Sequence, residues 1–182
     1  MKKKIFIGIG IVIIAVVGFI VYRVMTAPRL SPTEDTGFIY NDLNIKVAYS
    51  RPYKKGRLIF GDEKDNALVP YGKYWRLGAN EATQITFTKN VNFAGSPVNA
   101  GTYRMYSIPD MAVWKVVLNS ELGNWGYFEP DYDLDVVKVD ATAVSMPSET
   151  EQFTIGFSSD SLGVKMDFLW DKTLVRVPIT LQ

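Results

Sequence analysis

From residue 43 onward, apolar and polar positions alternate with period two along much of this chain. Ile45, Val47 and Tyr49 stand on one face against Lys46, Ala48 and Ser50 on the other, the pattern of a half-buried strand. The same alternation recurs at Ile85 and Phe87, at Trp114, Val116 and Leu118, and at Phe153, Ile155 and Phe157. It runs longest through Leu162, Val164, Met166, Phe168 and Trp170. Val175, Val177 and Ile179 close the series, and Pro178 among them suits an edge or terminal strand because it cannot donate to a ladder. Lys89-Asn90, Ala94-Gly95-Ser96, Asn99-Ala100-Gly101 and Asp171-Lys172 predict the reversals between strands. The pattern predicts an all-β domain, an antiparallel β-sandwich, or a barrel if the sheet closes.

The N-terminus follows a different rule. Residues 5–22, IFIGIGIVIIAVVGFIVY, hold no charge and no proline, and they lie between Lys2-Lys3-Lys4 and Arg23. As a helix at about 1.5 Å per residue the run would span roughly 27 Å, close to the hydrocarbon core of a bilayer. It predicts a single N-terminal transmembrane helix whose partner is the lipid bilayer. The lysines hold the N-terminus in the cytoplasm, so the remainder is expected across the membrane, in the periplasm or outside the cell. The rival reading is a cleaved secretory signal, but the run is long for one, and Met25-Thr26-Ala27 before Pro28 is a poor small-x-small site. The expected organisation is a cytoplasmic basic tip (1–4), a signal-anchor (5–25), a tether (26–36) and an extracytoplasmic β domain (37–182).

Composition then removes chemistries. The chain has no histidine and no cysteine, so Ser-His-Asp and Cys-His nucleophile systems, the usual zinc sites and disulfides are excluded. Five of its 20 basic residues and none of its 19 acidic ones precede residue 30, leaving the domain 15 minus 19, or −4. A mildly acidic surface argues against nucleic acid as a partner. No cofactor and no metal is implied. The acidic run Glu129 to Asp135 spaces carboxylates two apart but lacks the glycine and distal glutamate of a calcium loop, and reads as exposed.

The densest chemistry lies between Val69 and Thr83. Tyr71 and Trp75 offer flat apolar platforms, and Arg76, Asn80 and Glu81 offer convergent polar groups able to orient a glycan or small molecule. The same stretch has a structural reading, in which Arg76 and Glu81 pair, Gly78 takes a positive φ and Asn80 bonds the backbone of its own turn. Gly123-Asn124-Trp125-Gly126-Tyr127-Phe128 is either a sugar-stacking surface or half-buried packing. Arg51-Pro52-Tyr53-Lys54-Lys55-Gly56-Arg57 is either an anion site or a solvated hairpin end.

Several words in order, Ser50-Arg51-Pro52, Lys55-Gly56-Arg57, Ile59-Phe60-Gly61, Val69-Pro70-Tyr71-Gly72-Lys73, Trp75-Arg76, Gly78-Ala79-Asn80-Glu81-Ala82-Thr83, Ala100-Gly101-Thr102-Tyr103 and Ile108-Pro109, resemble the bacterial family of domain of unknown function 2911. The resemblance implies export and places the Tyr71 to Thr83 stretch in the family's signature. It implies no reaction and no catalytic residue. The retained anchor and the polar loop Asp62 to Asn66 depart from the family's commoner pattern.

The function expected from these readings is a non-catalytic binding or envelope-associated module. A carboxylate-dependent glycan hydrolase with Glu81 at its centre is one rival. A structural or assembly partner with an open sheet edge or apolar patch is the other.

Overall fold

The structure, a computed structural model, describes residues 2–26 and 30–182. Met1, the side chains of helix positions 2–9, 11 and 24–26, and tether residues 27–29 lie outside the described residues. Most of the expected basic tip therefore lies outside them too. The chain divides into two compact units, Met1–Leu30 and Ser31–Gln182.

The first unit holds α1 (Lys2–Thr26), a helix over a run that lacks proline and is rich in long aliphatic side chains. The side chains described in it start at Gly10 and end at Arg23, fewer than the roughly 20 residues of a bilayer crossing. Among the described residues no helix is long and apolar enough to cross a membrane.

The second unit contains β1 (Thr33–Tyr40), β2 (Leu43–Ser50), β3 (Phe60–Gly61), β4 (Val69–Pro70), β5 (Gln84–Phe87), β6 (Val91–Phe93), β7 (Ser96–Val98), β8 (Gly101–Ile108), β9 (Val113–Asn119), β10 (Asp135–Asp160) and β11 (Gly163–Leu181). β1 starts inside the stretch read as tether, because Glu34, Thr36 and Phe38 turn inward on alternate positions. Nine strands form one antiparallel sheet in the order β1-β2-β5-β8-β9-β10-β11-β6-β7, while β3 and β4 make a short parallel pair. The all-β, antiparallel expectation holds. The finer picture differs, since hydrogen bonds join the strands into one open sheet with β1 and β7 at its edges.

β10 is the reason. Its first part pairs with β9 from Asp135 to Thr142, and its second part pairs with β11 from Ala143 onward. The strand leaves one partner for the next, so the two halves of the sheet turn toward each other over a single core. Leu43, Ile45, Val47, Ile85 and Phe87 on one side meet Phe153, Met166, Phe168, Val177 and Phe93 on the other within one buried cluster. Tyr49 packs edge-on against Phe153 at 5.7 Å and Phe87 against Phe93 at 6.3 Å.

Two expected strands are continuous. Asp171-Lys172 is not a reversal; it lies within β11, where Asp171 takes φ 53° and pairs with Thr150 between two register shifts. This is a bulge that bends the strand without ending it. Ala94 and Gly95 do form the expected hairpin turn, with φ of 47° and 86°.

Phe153→Ala, which empties the place where both sheet halves meet, is expected to destabilise the protein by about 3–5 kcal/mol, read from urea unfolding. The Tyr49 hydroxyl donates to Glu34 Oε1 at 3.3 Å and accepts from the Ile155 N–H at 3.0 Å. Burial pushes this phenol up to about 12, against about 10 in an unfolded chain. The folded state thus holds the proton more tightly, and the stability this confers is whole below about pH 10 and lost as pH rises toward 12. Urea midpoints across that window should fall less steeply for Tyr49→Phe than for the wild type.

Candidate functional site

The stretch from Tyr71 to Thr83 folds back on itself beside β8. Trp75 exchanges backbone hydrogen bonds with Ser107 at 2.8 Å in both directions. Its ring is buried, stacked on Trp170 at 5.7 Å and set edge-on to Phe60, Trp114 and Phe153. Trp75 is therefore a core residue, because its indole is the piece that fills the space between β3, β9, β10 and β11. Thr83 Oγ1 donates to Leu77 O at 2.7 Å, which closes the loop. Gly78, at φ 146°, comes so near Ser50 that a Cβ there would lie 2.5 Å from its carbonyl oxygen.

The other four candidate residues separate. Asn80, at φ 58°, donates to Ser31 O at 3.2 Å and Ser50 Oγ at 3.4 Å, tying the start of the domain to this loop rather than bonding its own turn. Glu81 accepts from Ser50 Oγ at 3.5 Å and forms a single bridge to Trp125. Arg76 is half-buried, and the described ion pairs do not join it to Glu81. Tyr71 alone lines a cleft of about 220 Å³, with Phe60 and Trp114 at its floor and Asp110, Met111, Ser145, Lys172 and Thr173 among its walls. Among these lining residues Asp110 is the single carboxylate. Burial raises the Tyr71 phenol, and the Asp110 and Asp62 carboxylates push the same way, so the hydroxyl stays a donor.

A second constellation lies on the face of β8 and β9 turned away from the core. Arg104 is 1% exposed. Its Nη2 donates to Tyr74 Oη at 2.6 Å and to Phe128 O, and its Nη1 reaches Glu121 Oε2 at 3.4 Å. The guanidinium carbon stands 5.6 Å from the centre of the Tyr74 ring, while Nε has no hydrogen-bond partner. Tyr74 in turn donates to Gly126 O at 2.9 Å. Beside it, the Tyr106 hydroxyl donates to the Asp135 carboxylate at 2.9 Å, and Asn119 Nδ2 donates to Asp131 O at 2.8 Å and Asp135 Oδ1 at 2.9 Å. Burial raises the phenols of Tyr74 and Tyr106; the Arg104 hydrogen bond opposes the first shift and the Asp135 carboxylate adds to the second.

These bonds hold residues 120–134 over the sheet and leave Trp125, Tyr127 and Phe128 exposed. Gly126 sits at the closest approach, where a Cβ would fall 2.7 Å from Arg76 Cδ and 2.8 Å from Asn80 O. The two motifs that the sequence sets apart, 71–83 and 123–128, thus meet. Arg104, Tyr106 and Asn119 do not stand out in the sequence, and Asp135 does so only as the end of the acidic run; their signal is an arginine, a tyrosine and an asparagine on the outward positions of two strongly apolar strands.

The charged runs engage the fold itself. Arg51 links Glu34, Phe153 O and Thr154 Oγ1, while Lys54 pairs with Asp171 at 2.7 Å and Glu149 at 2.8 Å. Arg57 donates to the carbonyls of Lys54 and Tyr53. In the acidic run, Glu129 accepts from Tyr132, Asp131 caps a short turn through the Asp133 N–H, and Asp135 receives Tyr106 and Asn119. Among the described residues no three acidic side chains gather closely enough to hold a metal ion.

Fold and clefts together define a mostly antiparallel β protein with an aromatic-floored hollow and a hydrogen-bonded aromatic loop. The chain belongs to the family described as Protein of unknown function (DUF2911), whose model matches residues 31–179. Comparison with curated proteins and with solved structures gives no match.

Tyr74→Phe removes both the acceptor for Arg104 and the donor to Gly126 O, and is expected to destabilise the protein by about 1–3 kcal/mol. Gly126→Ala should displace the loop at a similar cost, about 1–3 kcal/mol. In both variants hydrogen exchange should quicken across residues 120–134 more than in the core strands.

Proposed function

We propose that this protein is a membrane-tethered, extracytoplasmic, sandwich-like β module that binds a glycan without catalysis, through the Tyr71 cleft. The observation that carries the reading is the cleft itself. Half-buried Phe60, with Trp114 set edge-on to it at 4.9 Å, gives an apolar floor, and Tyr71, Asp110, Ser145, Lys172 and Thr173 surround it with donors and acceptors. That combination suits a sugar ring, which has an apolar face and a hydroxylated rim. A volume of about 220 Å³ suits one such ring rather than a long substrate. The single carboxylate favours binding over glycoside hydrolysis, which uses two flanking carboxyl groups. The membrane anchor in this reading is the 5–22 run, with the domain beyond the membrane on the side opposite Lys2, Lys3 and Lys4.

Full-length protein on a saccharide array is expected to retain a defined glycan class. Tyr71→Ala and Asp110→Ala should each weaken it about tenfold, roughly 1.4 kcal/mol, while Lys115→Ala, on a surface pair with Asp140, leaves it unchanged. Retention that is indifferent to both cleft substitutions would refute the assignment.

A further inference from the structure

Three large apolar side chains stand out in water on one turn: Trp125 is 49% exposed, Tyr127 71% and Phe128 63%, with Leu122 beside them at 46%. Three aromatic rings exposed together on one turn mark a contact surface. Its position supplies the partner. The turn is fastened to the place where the domain begins, since Asn80 donates to Ser31 O at 3.2 Å and accepts from the Gly126 N–H at 3.1 Å. Trp125 itself bridges to Glu81, next in the chain. Ser31 is the first residue of the β unit and follows directly in the chain on the unit that holds α1.

We infer that the 122–128 turn is a second membrane contact, whose Trp125, Tyr127, Phe128 and Leu122 enter the headgroup boundary of the bilayer beside the tether. The inference rests on the reading of α1 as a membrane anchor and adds to it a surface of the β domain. Tryptophan and tyrosine favour that boundary because an apolar ring and a polar N–H or O–H are both satisfied there. Covalent tethering lowers the demand on the patch, because a weak apolar contact suffices once the partner is held at high local concentration. Glu129, Asp131 and Asp133 flank the turn and outnumber Arg76, whose side chain lies against Gly126, so attraction to anionic headgroups is not the driving force. The contact is therefore made on zwitterionic lipid and is insensitive to salt.

The tryptophans supply the readout. Of the four in the chain, Trp75, Trp114 and Trp170 are buried at 6%, 2% and 2% exposure, and none lies before residue 30. Trp125 is thus the one a lipid can reach. Full-length protein is reconstituted in phosphatidylcholine vesicles with or without bromine on the upper acyl chain, then floated after an alkaline carbonate wash. The expected result is co-flotation, with a loss of emission in brominated lipid that persists at high salt and is absent in Trp125→Phe. Co-flotation with equal emission in both lipids, and Trp125 freely quenched by acrylamide, overturns the contact and leaves the anchor standing. Failure to float overturns the anchor and the contact with it. Shielding of Trp125 by a soluble oligosaccharide, without any effect of bromine, also overturns it and reassigns the surface to glycan.

Discussion

Arg104 carries a guanidinium that is almost wholly buried on the outward face of β8, and a charge in such a place persists only where its donors are met. Tyr74, Glu121 and the carbonyl of Phe128 meet those of its two terminal nitrogens, while Nε stays without a partner. Those partners come from two segments with no place in the nine-stranded sheet. The requirement to satisfy one arginine therefore decides where residues 71–83 and 120–134 lie. Tyr74 is the hinge of the arrangement, because its hydroxyl accepts from Arg104 and donates to Gly126. Asp135, with Tyr106 and Asn119, repeats the device one step along the same face.

Core and outer face divide the work. The folded-over sheet provides a rigid interior, dominated by the contacts among Trp75, Trp114, Trp170, Phe60 and Phe153. At one border of that aromatic group, half-buried Phe60 reaches the Tyr71 cleft, with buried Trp114 edge-on behind it. On the outer face the polar network presents an aromatic turn to the surroundings. Both features are held by strands and buried hydrogen bonds, so each is organised before any partner arrives, which lowers the entropic cost of binding. Arg51 ties edge strand β1 through Glu34 to β10 at Phe153 and Thr154.

Much of the strand content was legible because period-two alternation is a local property. The triplets Ile45-Val47-Tyr49, Trp114-Val116-Leu118 and Val175-Val177-Ile179 all point into the core. The turn at Ala94-Gly95 was legible for the same reason. Asp171-Lys172 was not, because whether a polar pair reverses a chain or bulges it depends on whether the neighbouring strand continues past, and β10 does. The Tyr71 to Thr83 stretch was recognisable as special, but not how its members divide. Trp75 went to the core and Asn80 to the domain's first residue, Ser31, while Tyr71 reached a cleft.

By itself the sequence determined the class of fold, the apolar character of the N-terminal run, and the absence of histidine and cysteine chemistry, since each depends on residue type and spacing alone. Tertiary structure decided the single continuous sheet, the burial of Arg104 and the exposure of Trp125, Tyr127 and Phe128. Burial is a relation between distant segments. Phe128 is apolar and exposed while Arg104 is charged and buried, because strands β8 and β9 and the loop that covers them set each environment after the chain has closed.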